Sequence, residues 1–154
     1  VAATAYSDIL ADSKVDRYMI LDAAVTQCKV AGFFPNYIFL NPVDMMKLRQ
    51  TRDTTGAPYF LMAMGMNQPM TIGGATIVEH QAVTAGDFLV GDTVAGCQLW
   101  DRKAANVKFY DQDDTNAQYN LITAVFEERL ALVTYHATAF VFGDFTSALA
   151  KGSA

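Results

Sequence analysis

Two features of the chain predict an α+β fold: helical spacing of apolar residues in its first third, and a succession of short β-prone pieces after residue 74, each bounded by turn formers. Helices gathered ahead of strands, instead of alternating with them, place the strands in a sheet domain of the α+β kind. The 154 residues are 52% apolar, enough for one ordinary core and too apolar for a disordered chain, so a single compact unit is the default.

Over residues 15–30, Tyr18, Leu21, Val25 and Cys28 recur at helical spacing while Lys14, Asp16, Arg17 and Lys29 turn largely away; Gly32 and Pro35 end this helix. Residues 37–40 are a short aromatic and β-branched run that reads as a buried strand. Asn41-Pro42-Val43-Asp44 then starts a second helix reaching about Thr51: Asn41 caps free N–H groups, Pro42 fits the first helical position, and Asp44 complements the positive end of the dipole. From Arg52 to Gly74 the glycines and prolines, interleaved with Met62, Met64, Met66 and Met70, make a long loop with soft apolar contacts.

Four strands are expected at 75–79, 87–91, 98–101 and 107–110. Residues 118–142 fit a helix nearly as well as a strand through Leu121, Ile122, Val125, Phe126, Leu130 and Val133. The β-branched Ile122, Thr123, Val125, Val133 and Thr134 favour strand. A strand this long, against about 5–6 residues in a typical one, reaches beyond its own domain and points to contact with another chain. There is no internal repeat, and the organisation reads as one domain with an extended arm and a small tail, Lys151-Gly152-Ser153-Ala154.

Composition excludes several functions. Sixteen acidic against 11 basic side chains give a net charge of −5, and no stretch gathers Lys and Arg enough to track a phosphate backbone. No apolar run approaches the roughly 20 residues that span a bilayer, so no membrane partner is expected. Val1 stands where a Met would, without a charged segment leading into an apolar one, which suggests an amino terminus that is cut and not targeted. Cys28 and Cys97 form no C-x-x-C pair and read as reduced, buried structural thiols, which suits the cytoplasm.

The candidate chemistry is sparse. His80 and His136 lie in separate segments without an H-x-x-x-H partner, no G-x-S-x-G elbow is present, and Gly73-Gly74 lacks the Lys and Ser or Thr of a phosphate loop, so a tight turn explains it. No catalytic, metal or cofactor site is expected. Glu127, Glu128 and Arg129 are more informative, because three successive charges interrupt a strand otherwise apolar on both faces. They are either a solvated edge or inter-subunit contacts, where ion pairs fix register and partner choice.

Several motifs, in order along most of the chain, resemble the C-terminal part of Hong Kong 97-like major capsid proteins of tailed bacteriophages. These are the helix ending at Gly32, then Tyr37-Ile38-Phe39-Leu40-Asn41-Pro42-Val43-Asp44, then Asp53-Thr54-Thr55-Gly56-Ala57-Pro58-Tyr59. Gly73-Gly74-Ala75-Thr76-Ile77-Val78 follows, with Ala75-Thr76 where the family usually has Pro-Val. Phe88-Leu89-Val90-Gly91-Asp92 and Leu99-Trp100-Asp101-Arg102 look like the family's next strand pair. The most specific element is Asn120-Leu121-Ile122-Thr123, then Glu127-Glu128-Arg129-Leu130-Ala131-Leu132, then Tyr135, Ala139, Phe140 and Gly143.

The resemblance implies an axial domain over 1–100 and 137–147 and part of a peripheral domain over 101–136. The family's amino-terminal arm, extended loop and spine helix have no counterpart here, so the chain is expected to be a fragment. It implies a subunit that self-assembles into hexamers and pentamers of an icosahedral head around DNA bound without sequence specificity. Scaffold or protease and portal are its partners, with assembly in the bacterial cytoplasm and residence in the virion. Some members weld their shells by an isopeptide bond between a loop Lys and an Asn assisted by a Glu. Asn120 and Glu127 occupy similar positions, with an ordinary strand Asn as the alternative. If both lay on one extended strand, seven residues would separate them by roughly 23 Å and turn them to opposite faces. The rival readings are an encapsulin-type compartment shell and a small unrelated α+β enzyme using His80, Asp92 or Glu127.

Overall fold

The computed structural model describes residues 3–7, 16–51, 70–112 and 116–151. The loop motifs at 53–59 and the methionines at 62, 64 and 66 lie outside the described residues. In order, the elements are β1 (Thr4–Ala5), α1 (Arg17–Val30), β2 (Tyr37–Leu40), α2 (Pro42–Arg49), β3 (Thr71–Ile72), β4 (Ala75–Glu79), β5 (Asp87–Gly91), α3 (Thr93–Gly96), β6 (Cys97–Tyr110), α4 (Asn116–Tyr119), β7 (Thr123–Thr134), a 3-10 turn (Ala137–Ala139), β8 (Phe140–Asp144) and α5 (Phe145–Lys151).

The chain divides into two compact units, one of residues 1–97 and 134–154, the other of residues 98–133. The first holds a mixed six-stranded sheet in the order β1-β8-β5-β2-β4-β3. Here β2 runs parallel to β4 and antiparallel to β5, which is antiparallel to β8. Strand alternation is strict. Ile38, Leu40, Ala75, Ile77, Phe88, Val90 and Val141 are buried on one face, where Ile20, Leu21, Ala24, Val25 and Cys28 of α1 join them in one core together with Met45, Leu48 and Phe145. The α1 face read from spacing is the face that packs.

Three aspartates tie loops to helix starts. Asn41 caps α2 by accepting from Val43 N at 3.0 Å and donates its amide to Val83 O at 2.7 Å. Asp44 does more than complement the dipole: only 1% exposed, its carboxylate accepts from Gly86 N at 2.5 Å and from Lys47 Nζ at 3.1 Å. Together they fix the β4–β5 connection. Asp92 caps α3 by accepting from Val94 N and Ala95 N and also takes Phe34 N at 3.4 Å. Asp144 accepts from Thr146 N and Ser147 N at the start of α5, bonds that hold its carboxyl below the usual carboxylate range.

Several sequence expectations change. The pieces at 98–101 and 107–110 are one strand, β6, because the five residues between them, Arg102 to Asn106, hold no Gly or Pro and stay extended in the pairing with β7 despite the turn-prone Asn106. That strand pairs with β7 and not with β5, so β5 and β6 are not a strand pair. The 118–142 segment is shorter as a strand, Thr123–Thr134, bounded by α4 and by the 3-10 turn, and β8 beyond it rejoins the large sheet. Also, α2 ends at Arg49, and α5 was not foreseen, since its Phe145 and Ala148 give only two buried positions to read.

The ring of Phe140 fills a socket made by glycines. A Cβ at Gly96 would lie 2.5 Å from Phe140 Cε2 and 2.9 Å from Ala139 Cβ, and one at Gly91 would overlap the same ring. Gly96→Ala should therefore destabilise the protein by on the order of 1–3 kcal/mol in a denaturant titration. Thr26→Ala on the exposed side of α1 should stay within about 0.5 kcal/mol of the parent. Asp44→Ala leaves the Gly86 N–H without its acceptor, so a loss of about 1–3 kcal/mol is expected, with Asp44→Asn retaining part of it.

Candidate assembly surfaces

The second unit is a two-stranded sheet of β6 and β7 joined through the one-turn helix α4. Its strands are long, and almost every side chain is exposed, including Leu99, Trp100, Phe109, Phe126, Leu130 and Leu132. Glu127 sits near the middle of β7, where it bonds Lys103 of β6 and lies 3.0 Å from Arg129 Nη2. The Lys103 hydrogen bond, then its charge, then Arg129 and Lys108 hold the Glu127 carboxyl below the usual glutamate range. Glu127 and Arg129 thus share one face of the ribbon and satisfy each other, while Glu128, the residue between them, alternates to the other face and is exposed.

Asn120 is not a strand residue. It follows α4 in the left-handed region at φ 54°, a conformation that Asn tolerates better than most side chains, and it is exposed. Leu121 N reaches back to Asn116 O at 3.0 Å, and the Asn116 amide donates to Thr123 Oγ1 at 2.7 Å, which closes the turn. The turn at 120–122 was missed because Leu121 and Ile122 continue the apolar pattern of β7 while both are exposed.

The residues named for enzymatic rivals have structural work. His80 Nδ1 accepts from Ala82 N at 3.0 Å in the β4–β5 loop, and Asp92 is committed to three backbone N–H groups. His136 stacks obliquely on Phe33, with ring centroids 5.5 Å apart. Among the described residues no group of three or more His, Cys, Asp or Glu could hold a metal ion, and no helix is long and apolar enough to cross a membrane. Cys28 is fully buried, and burial, followed by the nearby Asp92 charge, pushes its thiol up to about 11. Cys97 is only half-buried, a correction to the expectation of two buried thiols, and its Sγ approaches Thr93 O at 3.5 Å.

The two units, a one-sided α+β sheet layer and a long β-ribbon, form the Hong Kong 97-like capsid fold. Solved structures carry it: a Mycobacterium phage Bobi chain superposes with a TM-score of 0.69 at 19% identity, covering 92% of this chain and 50% of that one. A capsid of an empty GTA particle computed with C5 symmetry gives 0.64 at 15% identity, covering 94% and 49%. The model of the phage capsid family matches residues 3–145, and the chain belongs to that family. It is 34% identical over 148 residues to the major capsid protein of Enterobacteria phage HK97. That alignment takes in 94% of this chain and 37% of the relative, so the chain spans well under half the length of the curated protein it matches.

Two measurements check this electrostatic picture. Lys103→Met should raise the Glu127 pKa toward the ordinary glutamate value in an NMR titration. Because the folded pKa is depressed, Glu127 contributes stability above its unfolded pKa and loses it as pH falls through the folded one. Native protein at neutral pH should leave Cys28 unlabelled by iodoacetamide, and denaturant should expose it.

Proposed function

We propose that the chain is part of a structural subunit of an icosahedral phage head, which assembles into hexamers and pentamers and encloses DNA without reading its sequence. The observation that carries this reading is the 34% identity to the HK97 major capsid protein along 94% of the chain. The sheet unit is then the axial domain around the capsomer centre, and the ribbon is part of the peripheral domain. The role is structural and not catalytic. It fits a chain of net charge −5, since a shell lining that gripped DNA strongly would hinder dense packing. The full-length product would meet scaffold or protease and portal in the host cytoplasm and reside in the virion.

Within the ribbon, the Lys103–Glu127–Arg129 cluster favours a role in fixing strand register, and exposed Glu128 is the charge of that triplet left for a neighbouring subunit. Asn120 is exposed enough to serve as the carboxamide of an isopeptide bond. Glu127, which would have to accept the proton, is instead engaged by Lys103 and Arg129 of its own ribbon. Shells that run as monomers on a denaturing gel are therefore the expected outcome, and a ladder of covalent oligomers lost in Asn120→Ala would overturn it.

The shell reading is tested by light scattering and negative-stain microscopy of the full-length gene product. Closed shells are expected. A full-length protein that stays monomeric or dimeric under all assembly conditions would return the small-enzyme alternative.

A further inference from the structure

The six-stranded sheet buries one face against its helices. On the other, the register sets Val78 beside Phe39, Phe39 beside Leu89 and Leu89 beside Phe142, so an apolar row crosses four strands. Phe142 is 45% exposed and the other three are half-buried. The solvent side of such a sheet is ordinarily polar, so this row is not accounted for by the packing of the unit's described residues. Beside the row, Asp87 stands directly opposite Asp144. Both leave the strands on this outer side, because Phe88 and Gly143, their neighbours along the strands, are buried on the inner one, although the Asp144 carboxylate also accepts from Thr146 N, Ser147 N and Ser147 Oγ at the start of α5. Like charges directly opposite across a sheet are unfavourable, and no ion pair among the described residues reaches either carboxylate. This face calls for an apolar partner accompanied by cations.

α2 has that combination on the helical layer. It sends Met45 and Leu48 into the core and turns Val43 and Met46 outward, 47% and 50% exposed. Three residues apart, these two are neighbours on the helix surface. Lys47 and Arg49 flank them, each sharing its charge with one carboxylate, of Asp44 and Glu79, while remaining substantially exposed. Within one copy these surfaces lie on opposite sides of the core and cannot meet.

We propose that the outer sheet face of one copy, built on the Val78–Phe39–Leu89–Phe142 row with Asp87 and Asp144 beside it, seats the Val43–Met46 face of α2 from a second copy. Such a contact joins two different surfaces, so it is heterologous, and repeating it closes a ring when the rotation divides the circle. The inference rests on the shell-subunit reading and deepens it, because pentamers and hexamers need a contact of this head-to-tail kind.

The test uses the full-length protein carrying Phe142→Glu or Met46→Glu, both at exposed positions. Each variant should weaken self-association roughly tenfold or more in sedimentation velocity while keeping the parent's thermal transition. Mixed together, the two should form one-to-one pairs that grow no further, since the intact sheet face of the Met46→Glu copy still meets the intact α2 of the Phe142→Glu copy. Should either variant lose its thermal transition, Phe142→Ser and Met46→Gln carry the same comparison. Normal assembly of a folded variant, or a mixture that stays monomeric, overturns the pairing of these faces and leaves the shell reading standing. A wild-type full-length protein that never self-associates overturns the shell reading, and this pairing with it.

Discussion

Everything in the sheet unit depends on burying only one face of the sheet. β2, β4, β5 and β8 each place alternate residues on the same side, where α1 covers them, and one core absorbs them all. With a period of two, a slip of one residue in β2 would exchange Ile38 and Leu40 for Tyr37 and Phe39 in that core, so the register is fixed by volume and by polarity together. The same arithmetic leaves a second face that has to be accommodated in some other way. Small residues do part of this. Gly91 and Gly96 make room for Phe140 to lie flat over β5, and Gly143 does the same on the inner side for Phe88, whose ring would stand 2.5 Å from a Cβ there.

A sheet of short strands has more loop ends than its core can organise, and buried or capping aspartates take up the difference. Asp44, Asp92 and Asp144 each sit at a helix start, where exposed N–H groups and the positive end of the helix favour a carboxylate. Two of them reach further: Asp44 to Gly86 and Asp92 to Phe34, residues 42 and 58 positions away in the chain. At Asp92 helix capping and loop closure are thereby one interaction, which is why so short a helix as α3 persists between β5 and β6.

Where a physical rule acts over a few residues, the sequence was legible. The strands at 37–40, 75–79 and 87–91 and the helix start at Asn41-Pro42 were read at their observed positions, since alternation, capping and proline geometry are local. The destination of the Asp44 carboxylate was not legible, because Gly86 meets it only after β4 and β5 have paired. The ribbon was harder for a different reason. Its apolar pattern does not stop where the strand does, so Leu121 and Ile122 read as strand although Asn120 turns the chain at positive φ. Of the candidate contacts, the Glu127-Glu128-Arg129 triplet stood out as charges in an apolar run, but that Lys103 would meet Glu127 required a cross-strand register that no local pattern contains.

The ribbon shows what a two-stranded sheet implies about its surroundings. Two paired strands have little cooperative burial of their own, and here large side chains such as Phe109 and Phe126 remain 72% and 77% exposed. In a protein whose fate was to stay alone, selection against association would favour polar residues at such sites and charges along the open edges. The ribbon instead concentrates its ion pairs on one mid-ribbon cluster, Lys103, Glu127 and Arg129, and leaves apolar side chains toward both of its ends. An element built this way holds its register by electrostatics more than by burial among the described residues.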